Sequence, residues 1–122
     1  MKEIFLWILM ALGLVACSNP VENLKKLGTA PFTHEAWIRA SQLERGEMVY
    51  SFLNHRDITV LSAADVYQLL GESTAYYEYD EVPAYLVGPN HVESEYGKGY
   101  LLAFPVDSHT GLVKKFVIHP QP

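Results

Sequence analysis

The single cysteine constrains this chain more than any other residue. Cys17 is the only thiol in 122 residues, so no internal disulfide and no zinc–thiolate cluster can brace the fold. It stands just after an apolar run, Ile4 to Leu14, that is preceded by Met1-Lys2-Glu3. A short charged head, an apolar stretch and a small residue, Ala16, at the break are the layout of a secretory signal. The run is shorter than the roughly 20 apolar residues a membrane span needs, and it gives way to a polar stretch, Ser18 to Asn23. A soluble-secretion signal with an incidental cysteine is the plainer alternative.

Leu14-Val15-Ala16-Cys17 resembles the bacterial lipobox. That resemblance implies export, removal of residues 1–16, and a diacylglyceryl group with palmitate-type chains on Cys17 as the new N-terminus. Two acyl chains or more give firm membrane anchoring. Ser18 is compatible with sorting to the outer membrane of a diderm bacterium, facing the periplasm. In a host with one membrane, the same signal implies the outer cell surface. With its thiol acylated, Cys17 is unavailable for thiolate chemistry.

The chain beyond the signal is long enough for one domain plus a tether. Hydrophobic residues make up 49% of the sequence, which favours a packed core over disorder. The net charge is −5, and the signal contributes one Lys and one Glu. An acidic chain lacks the clustered Lys and Arg of a nucleic-acid groove or a polybasic membrane patch.

Ser18 to Pro31 reads as the tether, so that residues 17–31 form a lipidated, flexible N-terminus and residues 32–122 the domain. Thr33 can cap a short helix carrying Trp37. A longer helix is expected from about Ser41 to Leu53, with Val49, Phe52 and Leu53 at i, i+3 and i+4. Gly46 weakens that helix unless the helix begins there or another backbone packs against it. Ser62 can cap the next helix, Asp65 puts negative charge at the positive end of its dipole, Leu61 and Val66 occupy the positions of a hydrophobic staple, and Gly71 ends it. From Thr74 onward the pattern is that of strands: Ala84 to Val87, Tyr100 to Phe104, and Leu112 to His119 after a turn at Asp107 to Gly111. The expectation is an α+β domain, with two N-terminal helices on one face of a three- to four-stranded antiparallel sheet.

Arg45-Gly46 with Met48-Val49, then Ser62 to Leu69-Leu70-Gly71, Tyr85-Leu86-Val87-Gly88, Leu101-Leu102-Ala103-Phe104 and Gly111-Leu112-Val113 occur in that order. Together they resemble small lipoproteins with the SmpA/BamE-like fold, related in shape to β-lactamase-inhibitor-type domains. The resemblance covers about Phe32 to Ile118. It implies two helices on an antiparallel sheet, an outer-membrane anchor and a role in protein–protein contacts, the best-known members serving the machinery that inserts β-barrels. The Gln-Gly-Asn stretch of those members is absent here, and Glu44-Arg45-Gly46 stands near its place. No partner-binding residue is carried over.

Candidate chemistry is thin. The five histidines, His34, His55, His91, His109 and His119, form no close-spaced pair, so neither a metal nor another cofactor is expected. His55-Arg56-Asp57 matches a kinase tripeptide in a chain without the other kinase motifs. Ser94 and Ser108 lack the glycine elbow of a hydrolase nucleophile. The sharpest functional feature is the tyrosine-rich acidic stretch: Tyr76, Tyr77, Tyr79 and Tyr85 among Glu72, Glu78, Asp80 and Glu81. Tyrosine supplies large contact area at low entropic cost, and flanking carboxylates select a basic partner. Val92 to Lys98, carrying Tyr96, is expected as a mobile loop that extends this surface. The bland alternative is that alternate tyrosines pack on the helices and the acids merely face water.

The resulting expectation is a non-enzymatic, lipid-anchored envelope protein that works through an envelope protein partner. The alternatives are an inhibitor-like or ligand-binding periplasmic module and a small periplasmic hydrolase. Replacing Cys17 by Ser is expected to move the protein from the membrane to the soluble fraction. Unchanged membrane association of that variant would refute lipidation at Cys17.

Overall fold

The computed structural model describes residues 20–78 and 82–122. Cys17 and Tyr79 lie outside the described residues. In chain order the elements are α1 (Pro20–Asn23), a 3-10 turn (Leu24–Leu27), α2 (His34–Arg39), α3 (Gln42–Asn54), a 3-10 turn (Ile58–Val60) and α4 (Ala63–Leu70). The strands β1 (Ala84–Val87), β2 (Glu93–Ser94), β3 (Gly97–Lys98), β4 (Tyr100–Ala103) and β5 (Val117–His119) come after them. The fold is α+β: helices pack against an antiparallel sheet of order β1-β4-β5, and β2-β3 form a separate small hairpin.

Local chemistry explains the helix starts. The Thr33 hydroxyl accepts the Ala36 N–H at 3.0 Å and opens α2. At α3, Ser41 and Glu44 form a reciprocal capping box, and Ser62 and Asp65 do the same for α4. Gly71 ends α4 at φ 80°, a left-handed conformation that glycine adopts without steric cost.

The segment expected as a tether is docked from Pro20 onward. Leu24 is 0% exposed in the core, and the Ala30 N–H donates to the Glu47 carbonyl at 3.0 Å. The Phe32 N–H donates to the Ser51 hydroxyl at 3.0 Å, satisfying a buried polar group of α3. The flexible-tether expectation for residues 20–31 is therefore corrected. The reason is that Leu24, read alone as an isolated apolar residue, has a groove on α3 to fill.

The sheet separates two apolar layers. Tyr85, Val87, Leu102, Phe104 and Ile118 face the helices and meet Trp37, Val49, Phe52, Val66 and Leu70. The opposite face carries Ala84, Leu101 and Ala103, covered by Ala75, Tyr77, Val82, Tyr96 and Val117. Ala84 and Ala103 are direct cross-strand partners, and their small side chains leave room for aromatic rings above them. At the free edge of β1, the Ser73 hydroxyl accepts the Ala84 N–H and the Thr74 hydroxyl accepts the Leu86 N–H, each at 3.0 Å. Side chains thereby stop an edge that would otherwise template another strand.

Two strand expectations change. Leu112 to His119 is a continuous strand only over Val117–His119; Leu112 and Val113 make isolated bridges to Ser62 and Val106. Pro105 lacks a ladder donor, and Asp107 folds its turn by accepting the His109 and Thr110 N–H groups. Val92 to Lys98, expected as a mobile loop, contains the β2-β3 hairpin, closed at its base by the Gly99 N–H donating to the Val92 carbonyl at 2.6 Å.

Gly46 marks a close backbone approach inside α3. A Cβ there would stand 2.7 Å from Gly88 Cα and 2.8 Å from Gly88 N, at the end of β1. Gln42 reinforces the same junction: its carbonyl accepts the Gly88 N–H at 2.8 Å, and its Nε2 donates to the Gly88 and Lys98 carbonyls. Gly46→Ala is expected to destabilise the protein by about 1–3 kcal/mol despite the better helix propensity of alanine. Chemical denaturation checks this, and a gain in stability would show that helix and strand separate at little cost.

Candidate functional site

Burial sorts the tyrosines into three roles. Tyr85 is 0% exposed; its ring meets Trp37 edge-on at 6.0 Å, and its hydroxyl donates to the Gly71 carbonyl at 2.7 Å. It therefore belongs to the core, and its place in the expected partner-binding set is corrected: the β1 pleat turns residue 85 toward the helices. Tyr77 and Tyr96 are half-buried on the opposite sheet face, with ring centroids 6.0 Å apart. Tyr76, next to Tyr77 in sequence, is 71% exposed.

Tyr77 and Tyr96 thus share the sheet face opposite the helices, and Tyr76 adds an exposed ring next to Tyr77 in sequence. Tyr96, from the β2-β3 hairpin, stands edge-on to the His119 ring at 5.7 Å. His119 Nε2 lies 3.6 Å from the Glu95 carboxylate. Glu72, Glu78, Glu93 and Glu95 are exposed, as is Lys98, the cross-strand partner of Glu93. Burial pushes the Tyr77 phenol above its ordinary pKa, with the Glu78 charge and Tyr96 adding to the shift.

Beside Tyr76 opens a cleft of about 710 Å³, within the range of ligand pockets. Tyr67 of α4, Gly71, Glu72, the Ser73–Ala75 segment and Tyr76 line it. Tyr67 is the residue that sequence reasoning misses. It lies off the Val66–Leu69–Leu70 stripe, four residues before Gly71, and an aromatic outside the apolar stripe is the available signal.

The other candidates have structural partners. His55 Nδ1 and Arg56 Nη1 donate to the Ser51 and Phe52 carbonyls, so this pair closes the C-terminus of α3. The Asp57 carboxylate accepts the Thr59 N–H at 3.0 Å. His34 Nδ1 donates to the Leu69 carbonyl, and Ser94 Oγ accepts the Tyr96 N–H. Among the described residues, no group of three His, Cys, Asp or Glu side chains could hold a metal ion. Among the same residues, no helix is long and apolar enough to cross a membrane.

Compared with known protein families, curated proteins and solved structures, the chain matches none.

Tyr85 supplies a titration test of this arrangement. Burial drives its phenol far above the ordinary value, Tyr67 adds to the shift, and Arg45 opposes it. The folded-state pKa is raised, so the contribution is whole below the unfolded value of about 10 and is lost as pH climbs toward the folded one. Tyr85→Phe is expected to cost about 1 kcal/mol at neutral pH through the lost bond to Gly71. It should also flatten the loss of stability above about pH 10. Denaturation curves for both proteins across that range check the sign; identical alkaline slopes would place Tyr85 outside the buried network.

Proposed function

We propose that this protein is a lipid-anchored bacterial envelope protein that acts without catalysis, by docking a partner protein on its acidic tyrosine surface. The observation that carries the reading is Tyr76, a large aromatic left 71% exposed beside the half-buried Tyr77–Tyr96 pair. Packing against Ala84, Leu101 and Ala103 holds Tyr77 and Tyr96 in place, so little side-chain entropy remains to be lost on binding. Aromatic anchors of this kind carry a large share of binding energy at protein interfaces. The surrounding glutamates add preference for a basic partner surface and speed its approach.

The lipobox resemblance of Leu14 to Cys17 supports the setting: an anchor on Cys17, in the outer membrane of a diderm host and facing the periplasm. The SmpA/BamE-like resemblance of the sequence suggests a place in outer-membrane assembly or maintenance. Fold alone does not specify activity, so the partner is to be found by contact.

Crosslinking in cells from a photoreactive residue at position 76, with the full-length lipoprotein, tests the reading. A discrete envelope partner is expected, and Tyr77→Ala combined with Tyr96→Ala should reduce its recovery about tenfold or more. Recovery of the same partner undiminished by that double change would exclude this face as the docking surface.

A further inference from the structure

The cleft between Tyr67 and Tyr76 has an electrostatic character that narrows what it can receive. Among the described residues, Glu72 is the only charged one that lines it. The Ser73 and Thr74 hydroxyls beside it are already acceptors for the β1 edge, at Ala84 and Leu86. The cleft also lies at the C-terminal end of α4, where the helix dipole is negative. No basic residue occupies the last turn of α4. The carbonyls of Leu69 and Leu70 in that turn instead accept from His34 Nδ1 and Trp37 Nε1. Two tyrosine side chains and one carboxylate, with no basic residue among the described lining, suit an organic cation.

The walls further select among cations. A guanidinium is planar, lies on an aromatic face, and pairs with a carboxylate through two parallel N–H donors. An ammonium is compact and more strongly hydrated, so it gains less from an open, partly wet cleft. We propose that this cleft receives an arginine side chain of the partner protein, stacked on Tyr76 and paired with Glu72. The proposal rests on the tyrosine surface being a docking face, and it adds which residue of the partner sits there.

The test uses full-length protein in detergent, labelled with fluorotyrosine and titrated with three probes followed by fluorine NMR. The probes are acetyl-Gly-Arg-Gly-amide, its citrulline counterpart and tetramethylammonium. Saturable shifts at Tyr67 and Tyr76 are expected with the arginine peptide, at least about fivefold tighter than with citrulline. Glu72→Gln should weaken that binding by about fivefold or more. Tyr76→Phe, which keeps the ring face, should retain it as read at Tyr67, whereas Tyr76→Ala should not. Both positions are exposed enough for these variants to fold. Equal affinity for citrulline, no saturable shift, or tighter binding of tetramethylammonium than of the peptide would each overturn the proposal. In-cell crosslinking from position 76 runs in parallel. A partner captured there by a protein that ignores the arginine peptide would overturn the arginine assignment and leave the docking reading intact. No captured partner would overturn both.

Discussion

Trp37 is the joint on which the helical layer depends. Its side chain is buried, and its Nε1 donates to the Leu70 carbonyl at 2.8 Å, closing one of the open carbonyls at the end of α4. Its ring meets Tyr85 from β1 edge-on at 6.0 Å and stands 6.0 Å from Phe32. The Arg45 guanidinium lies 4.8 Å from the same ring, and Arg45 Nε donates to the Trp37 carbonyl at 2.9 Å. One residue on α2 thus touches α3, α4 and the sheet. Burying a ring of this size is worth about 4–6 kcal/mol as an upper figure. Burial of Arg45 holds its pKa below the ordinary value, yet it stays charged and strengthens both contacts.

From this joint the geometry of the tyrosine surface follows. Trp37 holds the end of α4, and the chain leaves α4 through Gly71, whose carbonyl takes the Tyr85 hydroxyl. The Ser73–Ala75 segment then lies along β1, which sets Tyr76 outward and turns Tyr77 across the Ala84–Ala103 pair. The hairpin adds Tyr96 from the other side. A rigid core beneath and an exposed ring above is the arrangement a docking surface needs, because positions are set before the partner arrives. The cleft beside Tyr76 is a by-product of the same path, being the space between the end of α4 and the segment that returns to β1.

Much of the fold is legible in short stretches of sequence. Ser62 with Asp65 and Ser41 with Glu44 cap their helices through atoms three residues apart, so no distant information is needed. The turn at Asp107 is equally local, an aspartate bonding backbone N–H groups just ahead of it. The expectations that fail are those that require a partner far along the chain. Leu24 reads as tether because nothing nearby in sequence can bury it; α3, well along the chain, does. Val92 to Lys98 reads as a loop because strands this short have no pattern of their own and exist only by pairing with each other.

Short stretches of sequence were enough to place the helices before the sheet, the Thr33 and Ser62 helix starts and the glycine that ends α4. These depend on interactions within a few residues. Tertiary structure alone decided which tyrosines face out. Tyr76 and Tyr85 stand in the same tyrosine-rich stretch, yet one is exposed and the other sealed between Trp37 and Phe104. A strand has two equivalent faces until its register against a neighbour is set, and a shift of one residue exchanges them. That register comes from β4, Gly88 against Gly46, and the helices, all remote in sequence from the stretch they orient.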